Sequence, residues 1–281
     1  MKEVDYIVVG LGLAGMAFCE QLQNHNKTFV VFHDEKAGAS RVAGGVYNPV
    51  ILKRYSLPWQ AEEQFDLAVP YFNNLSEKLG VKAVFSLPVL KLFSSAEDQN
   101  NWFEASDKPG LSRFISPEVI RENLDFIEAN YHFGQVKETG RVDISLLLDF
   151  YISYLSEKSL IEKSFFEYSK LEIAENQVKY ADFRAKKVVF SEGYGIKENP
   201  YFSALPLVGN KGEYITIKAP KLQLNAALKF SFFIIPIGND LYKVGATFNW
   251  KDKDTVPSAS SREENLSKLK KIITCDFEVV D

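Results

Sequence analysis

The stretch VDYIVVGLGLAG, residues 4–15, determines how this chain begins to fold. Its first half is rich in β-branched residues and predicts a buried parallel strand, which runs directly into Gly10, Gly12 and Gly15. Residues 16–24 place apolar side chains on one side and polar ones on the other, as in an amphipathic helix. Residues 28–32 predict a second strand. The sequence therefore predicts a β-α-β unit with glycines at its first turn, here called the glycine turn.

The spacing of these glycines is typical of dinucleotide binding. Gly10 allows the tight turn, Gly12 lets a pyrophosphate approach the main chain, and Gly15 lets helix and strand pack closely. The helix N-terminus offers free N–H groups to the phosphates. An acid at the end of the second strand would bind ribose hydroxyls, and Asp34 and Glu35 follow that strand. The sequence therefore predicts a dinucleotide site.

The next segment bears on which dinucleotide is bound. Residues 39–49, ASRVAGGVYNP, are mostly small and follow the second strand directly. A small-residue loop lets the main chain approach a flavin closely, whereas a nicotinamide domain would continue with another helix. The segment favours FAD and leaves a nicotinamide enzyme open. Arg41 and Arg54 carry guanidinium groups that can bind a phosphate or a carboxylate, or can lie on the surface.

From here on the chain resembles FAD-dependent oxidoreductases of the D-amino-acid oxidase and glycine oxidase type. Four segments carry the resemblance: the glycine turn, the loop Ser40-x-x-Ala43-Gly44-Gly45, the run KVVFSEGYG over 187–195, and the pair PLVGNKGE over 206–213 with Ile235-Pro236 and VGAT over 244–247. The resemblance implies an α/β fold, a Rossmann-like FAD-binding domain interleaved with a mostly antiparallel β-sheet substrate domain. The FAD-binding domain is expected over 1–80 and 140–195, and the substrate or cap domain over 81–139 and 196–275.

The resemblance also implies a function and a set of cofactor contacts. The expected reaction is oxidation of a C–N bond in a small amine or amino acid by hydride transfer to FAD. A catalytically silent flavin- or adenylate-binding module, or a partner subunit, is the alternative from another class. One strand is expected to contact the adenine through its main chain at Phe166. The implied cofactor-binding residues are Gly10, Gly12, Gly15, Asp34, Ser40, Arg41, Ala43, Gly44, Gly45, Phe166 and Gly193.

Three departures from the family leave the substrate open. The ribose acid is expected eighteen residues after the last glycine, and that position is His33, with Asp34 one residue later. The chain ends about where the family's C-terminal segment begins, so we expect it to lack the arginine that holds a substrate carboxylate. Phe233 falls where glycine oxidases carry an aromatic hydroxyl.

Composition excludes several other classes of protein. The chain has 281 residues, with 33 Lys+Arg against 37 Asp+Glu, a balance that argues against a nucleic-acid or anionic-membrane surface. Cys19 and Cys275 cannot form a disulfide framework, and neither they nor the three histidines stand in a metal-ligand spacing. No metal is expected. Residues 4–18 are too short and glycine-broken for a membrane span. Without a signal peptide, we expect a cytoplasmic protein; its oligomeric state stays open.

Local patterns predict most of the remaining elements. A helix over 59–79 contains Pro70, and a helix over 144–158 has Asp143 as its N-cap. The charged end over 251–271 predicts an exposed loop and an amphipathic helix. Asn239-Asp240 predicts a turn. Strands are predicted over 84–93, 165–168, 177–180, 188–190, 213–218, 228–236 and 242–249.

Overall fold

A computed structural model of the chain describes residues 1–36, 38–121 and 124–281. Its α-helices are α1 (Leu13–Asn24), α2 (Ala39–Val42), α3 (Ala61–Lys78), α4 (Ala96–Ser106), α5 (Leu111–Phe114), α6 (Ile144–Glu157) and α7 (Ala259–Leu269). Two short 3₁₀ helices cover Tyr168–Lys170 and Gly193–Glu198.

The strands follow the chain in this order: β1 (Lys2–Val9), β2 (Phe29–Phe32), β3 (Val46–Tyr47), β4 (Val84–Ser86), β5 (Val89–Leu92), β6 (Ile115–Ile120), β7 (Phe133–Val136), β8 (Gly140–Val142), β9 (Ile161–Glu162), β10 (Glu172–Ala174), β11 (Gln177–Tyr180), β12 (Phe183–Phe190), β13 (Tyr214–Lys218), β14 (Ala227–Lys229), β15 (Phe233–Gly238), β16 (Leu241–Gly245) and β17 (Glu278–Val279). They combine parallel and antiparallel pairs, so the expected mixed α/β fold is confirmed.

The chain divides into two compact units. The first unit comprises Met1–Ala43, Ser76–Ala83 and Asp143–Gly209. Its sheet has the order β10-β11-β12-β1-β2-β9, with β1 in parallel register between β12 and β2. The apolar end of β1 is buried, and Ile7 and Val9 pack in one core cluster with Phe32 of β2 and with Phe166. The predicted β-α-β unit is therefore confirmed, with the helix beginning at Leu13 rather than at Met16.

The second unit comprises Gly44–Leu75, Val84–Val142 and Asn210–Asp281. An eight-stranded sheet with the order β17-β13-β16-β15-β14-β5-β7-β6 lies beside a small sheet of β3, β8 and β4. Side chains alternate between the two faces of a strand. One face of the large sheet packs in the core with Leu269 of α7, and the other packs with the buried Trp102 of α4. The domain bounds expected from the sequence stay a prediction.

Two local predictions are confirmed by their geometry. The Asp143 side chain accepts a hydrogen bond of 3.2 Å from the main-chain N–H of Leu146, so it is the N-cap of α6. Asn239 and Asp240 connect β15 to β16 with φ of 54° and 59°, the left-handed region that these short polar residues tolerate.

Several predicted strands are wrong in extent because tertiary contacts outweigh local pattern. Residues 165–168 form no strand; the main-chain N–H of Glu167 donates to the Tyr180 hydroxyl at 2.9 Å, and a 3₁₀ turn follows. The run 228–236 turns back on itself between β14 and β15, where the rings of Phe230 and Phe232 lie 4.2 Å apart. The run 84–93 is two strands, and the run 242–249 leaves regular strand after Gly245.

Candidate cofactor site

The first turn of the β-α-β unit requires glycine at its first position. Gly10 has φ of +90°, a conformation that residues with a side chain rarely adopt. Its N–H donates to the carbonyl of Phe32 at 2.9 Å, so the turn is tied to the end of β2. A Cβ built on Gly10 would lie 2.6 Å from the carbonyl oxygen of Ser191. The chain therefore leaves no room for a side chain here.

The third glycine lets α1 lie against the same turn. A Cβ on Gly15 would be 2.3 Å from the Gly10 carbonyl oxygen and 3.4 Å from the Ser191 side chain. Ser191 follows β12 and its N–H donates to Val9 at 2.7 Å. The sequence analysis quoted the run over 187–195 but did not predict a contact between Ser191 and the glycine turn. The position of Ser191 directly after an apolar strand was the signal that could have indicated this contact.

The N-terminus of α1 is suited to an anion. Gly12 is its N-cap and supplies no side-chain hydrogen bond, and the first turn carries no acidic residue. The N–H of Leu13 donates to the Ser40 hydroxyl at 3.2 Å, which brings Ser40 to the glycine turn. The prediction of a loop from residue 39 onward is wrong at its start, because Ser40 lies on the short helix α2. Unpaired N–H groups and the positive end of the helix dipole stabilise a bound phosphate. Gly12 and Ser40 are thus brought together, as the resemblance implies.

The end of β2 presents a histidine rather than an acid to the interior. His33 is 8% exposed, and its Nε2 atom is buried with no hydrogen-bond partner. Burial lowers its pKa. Asp34, the predicted ribose acid, is exposed and accepts from the N–H of Lys36 at 3.2 Å. Glu35 pairs with Lys163 at 2.9 Å. A ribose contact by Asp34 stays a prediction.

The two candidate arginines differ in their surroundings. Arg41 on α2 forms an ion pair with Asp149 of α6 and lies 3.5 Å from the Ser145 hydroxyl. Its charge is therefore already matched by a carboxylate. Arg54 is exposed, in the turn that follows residue 51. Ala43 ends α2, with its N–H bonded to the carbonyl of Ala39 at 3.1 Å.

The remaining glycines of the predicted loop have protein neighbours in the second unit. A Cβ on Gly45 would lie 2.0 Å from the Val142 carbonyl oxygen, and one on Gly44 would lie 2.6 Å from Cδ1 of Ile235. The Tyr214 hydroxyl would be 3.3 Å from the same Gly44 Cβ. Packing against the protein is thus sufficient reason for glycine at both positions.

Two other predicted cofactor residues lie elsewhere in the first unit. Phe166 is buried, and its ring stacks on Tyr180 with centroids 4.0 Å apart. Gly193 begins a 3₁₀ helix with φ of +57°, and a Cβ on it would meet no atom within 4 Å. The residue that contacts the glycine turn is therefore Ser191, two residues earlier, and not Gly193.

A row of residues crosses the large sheet of the second unit at one end. The register pairs Tyr214 with Gly245, Gly245 with Phe233, Phe233 with Lys229 and Lys229 with Lys91. Cross-strand partners share a face, so these five residues, here called the sheet row, lie side by side. Sequence reasoning noted that Phe233 lacks a hydroxyl but missed that Tyr214 supplies one in the same row.

The sheet row also carries charge. Lys91 is buried and pairs with Asp98 at 2.8 Å. The ammonium of Lys229 lies 5.0 Å from the centre of the Phe233 ring. Burial, with the nearby charges of Lys91 and Lys268, lowers the pKa of Lys229 to about 8. Burial also raises the pKa of the Tyr214 hydroxyl, opposed by a hydrogen bond from the main chain of Gly44.

Two classes of site are not observed among the described residues. In those parts of the chain, no three His, Cys, Asp or Glu side chains are placed to hold a metal ion. Nor does any described helix combine the length and the apolar character that crossing a membrane requires.

Solved structures named as a glycine oxidase, an L-amino acid deaminase and an iminodiacetate oxidase share this fold. Glycine oxidase from Geobacillus kaustophilus matches with a TM-score of 0.78 at 17% identity, over 99% of this chain and 82% of that chain. L-amino acid deaminase from Proteus vulgaris matches with a TM-score of 0.73 at 13% identity, over 100% and 82%. Iminodiacetate oxidase from Chelativorans sp. BNC1 matches with a TM-score of 0.73 at 14% identity, over 98% and 82%.

A family model for FAD-dependent oxidoreductases, DAO, matches residues 5–280. The structure fits that cofactor: Gly10 and Gly15 have no room for a side chain, the first turn of α1 carries no acidic residue, and a buried nitrogen of His33 lacks a partner at the end of β2. FAD is therefore favoured over a nicotinamide, and the resemblance seen in the sequence is confirmed. This chain belongs to the DAO family of FAD-dependent oxidoreductases.

Proposed function

We propose that this chain oxidises a C–N bond of a small amine or amino acid with FAD. The observation that carries the proposal is the glycine turn, where Gly10 and Gly15 have no room for a side chain and α1 begins with no acidic residue in its first turn. Three neighbours named as glycine oxidase, L-amino acid deaminase and iminodiacetate oxidase support a nitrogen-bearing substrate.

The first unit supplies the groups that would bind the cofactor. The main-chain N–H groups that begin α1 and the Ser40 hydroxyl would hold the pyrophosphate, because they lie together at a positive helix end. When bound, FAD supplies the acceptor for a hydride from the carbon that carries the nitrogen. No protein acid or base is required for that transfer, so binding and orientation are the tasks of this chain's residues.

The second unit favours a substrate with a carboxylate. Lys229 in the sheet row is partly buried, and no described acidic side chain forms a salt bridge with it. A lysine ammonium held in a low-dielectric setting attracts an anion more strongly than one in water. The Tyr214 hydroxyl in the same row is a second hydrogen-bonding group for a small polar molecule. We assign Lys229 to the carboxylate of an amino-acid substrate.

The visible absorption spectrum of the purified chain, before and after denaturation, tests cofactor binding. We expect a yellow protein with two flavin bands, and release of free FAD on denaturation. A chain that binds neither FAD nor FMN after purification or refolding would overturn the proposed function.

The bond that is oxidised is tested by anaerobic bleaching of the flavin. An amino acid and the 2-hydroxy acid with the same carbon skeleton differ only in the atom on the reacting carbon. We expect small amino acids to bleach the flavin and the matched hydroxy acids to leave it oxidised. Bleaching by the hydroxy acids alone would contradict a C–N substrate while leaving FAD binding intact.

A further inference from the structure

Two neighbouring lysines of the sheet row have different surroundings. Lys91 is buried, and its ammonium lies 2.8 Å from Asp98 and donates to the carbonyl of Leu92 at 2.8 Å. Its cross-strand partner, Lys229, is only partly buried, and its ammonium donates at 3.3 Å to the carbonyl of Ser231, an exposed residue. Across residues 1–36, 38–121 and 124–281, no carboxylate forms an ion pair with Lys229. A small molecule can therefore reach this amine from water, and no acid holds its proton.

The charges that act on Lys229 are positive. They come from Lys91 on β5 and from Lys268 on α7, which is itself paired with Glu264. The ring of Phe233, 5.0 Å from the ammonium, adds an apolar surface. Neighbouring cations and an apolar setting disfavour a further ammonium, so the pKa of Lys229 falls to about 8. A lysine in such a setting exposes a neutral amine, which is a nucleophile.

We propose that the neutral amine of Lys229 condenses with the carbonyl group of a small 2-oxo acid to form an imine. The inference rests on the proposed function, since oxidation of an amino acid gives an imino acid that water converts into a 2-oxo acid and ammonia. In a 2-oxo acid the carbonyl carbon is bonded directly to the carboxylate. An amine that reaches the carboxylate of the substrate therefore also reaches the carbonyl of the product. The imine occupies the substrate site until water reverses it, so the product is a reversible inhibitor.

The condensation needs no oxidant or reductant. The lone pair of Nζ forms a bond to the carbonyl carbon, and the π electrons of the C=O bond move to the oxygen, which takes one proton from the amine. The nitrogen lone pair then forms the C=N bond while the C–O bond breaks, and the oxygen leaves as water with the second proton of the amine. One amine and one 2-oxo acid give one imine and one water.

Trapping with pyruvate and cyanoborohydride tests the proposal. Cyanoborohydride reduces an imine to a stable secondary amine, and mass spectrometry of the digested protein locates each carboxyethyl group. At about pH 7.5, the neutral fraction of an amine with a pKa of about 8 exceeds that of an ordinary lysine about 100-fold. A less basic amine is also a weaker nucleophile, so we expect Lys229 to be labelled about tenfold faster than the exposed Lys218. Labelling of Lys229 should level off above about pH 8.

Lys229→Arg is the matched variant, because a guanidinium keeps the positive charge but does not lose its proton and forms no imine. Pyruvate with cyanoborohydride should inactivate the wild type progressively and leave Lys229→Arg unaffected. Lys218→Arg should be inactivated like the wild type. Melting curves by circular dichroism confirm that the variants fold, and the labelling rates in the wild type need no variant.

The outcomes separate this inference from the proposed function. Equal labelling of Lys229 and Lys218, or no labelling of Lys229, overturns the imine whether or not the protein binds FAD. Flavin bleaching by amino acids together with that result leaves the proposed function intact. Preferential labelling of Lys229 in a protein that binds neither FAD nor FMN supports the imine and refutes the proposed function.

Discussion

In the first unit, the glycine turn is built from six consecutive residues, Gly10–Gly15. Its proposed contacts with the cofactor come from main-chain N–H groups. In the second unit, the sheet row takes one residue from each of five strands, Tyr214, Gly245, Phe233, Lys229 and Lys91, and its chemistry lies in side chains. We expect the first arrangement to lose cofactor binding when a side chain is added. We expect the second to lose substrate binding when a charge or a hydroxyl is removed.

This difference arises from the range of the interactions. Gly10 and Gly15 lie against one another within a single turn, and the distant residues that meet this turn are Phe32, Ser191 and Glu192. The sheet row exists only because hydrogen bonds fix the register of distant strands, and a one-residue slip would turn each side chain to the other face. Mutations in the two regions should therefore produce effects of different kind and size.

The largest effect is expected from Gly15→Ala. The added Cβ would lie 2.3 Å from the Gly10 carbonyl oxygen, so α1 must move away from the turn. We expect a loss of about 3 kcal/mol in the free energy of unfolding and an increase of about 100-fold or more in the Kd for FAD. Urea unfolding and flavin fluorescence measure the two quantities.

Gly38→Ala is the matched control, since a Cβ there meets no atom within 4 Å. It should change stability by less than about 0.5 kcal/mol and leave FAD binding unchanged. Equal behaviour of the two variants would show that the turn tolerates a side chain.

Lys91→Met should have the next largest effect. The substitution keeps the length of the side chain but leaves the carboxylate of Asp98 without the ammonium that lies 2.8 Å away. Removing one partner of a buried pair costs about 3 kcal/mol or more in the free energy of unfolding. Urea unfolding measures it. The exposed pair of Lys108 and Glu104 provides the control, and Lys108→Met should unfold like the wild type. A wild-type unfolding curve for Lys91→Met would refute the role of the pair.

Lys229→Met should act on substrate rather than on stability. We expect KM for an amino acid to rise about tenfold with kcat little changed, because binding of the carboxylate is lost in ground and transition states alike. The control is Lys218→Met, because Lys218 is exposed and ends β13, the strand that Tyr214 of the sheet row begins. A tenfold fall in kcat with KM unchanged would contradict a carboxylate-binding role.

The same lysine predicts a pH dependence with a definite sign. Its pKa in the folded protein is about 8, below its usual value, so it loses its proton as the pH rises through 8. KM of the wild type should therefore rise above about pH 8. The unfolded chain binds the proton more tightly, so the cost of burying this group in the folded state falls as the pH rises from about 8 to 10.5. A KM that is flat from pH 7 to 9 in the wild type would refute the assignment.

The smallest effects should be equal in the two units. Asp143 caps α6 in the first unit, and Ser95 caps α4 in the second by accepting from the N–H of Asp98 at 3.0 Å. Replacing either residue by alanine should cost about 1 kcal/mol in the free energy of unfolding, measured by urea titration. A cost that differs strongly between the two would show that the units differ in local structure as well as in their sites.

The sequence by itself determined the elements whose interactions are local. The strand over 4–9, the turn that follows it and the helix N-cap at Asp143 each depend on neighbours a few residues away, and the structure has all three. It also determined the family, because the spacing of Gly10, Gly12 and Gly15 together with three later segments is specific enough to match the FAD-dependent oxidoreductases.

Only the tertiary structure decided which residues share a site. The placement of Tyr214 in one row with Phe233, the contact of Ser191 with Gly10, and the burial of the His33 Nε2 atom all depend on strand register and packing, which local sequence patterns do not reveal. The same reason accounts for the missing strand at 165–168, where a distant hydroxyl, that of Tyr180, takes the main-chain hydrogen bond. Pairings between distant residues are set by the packing of the whole unit, and no short stretch of sequence carries them.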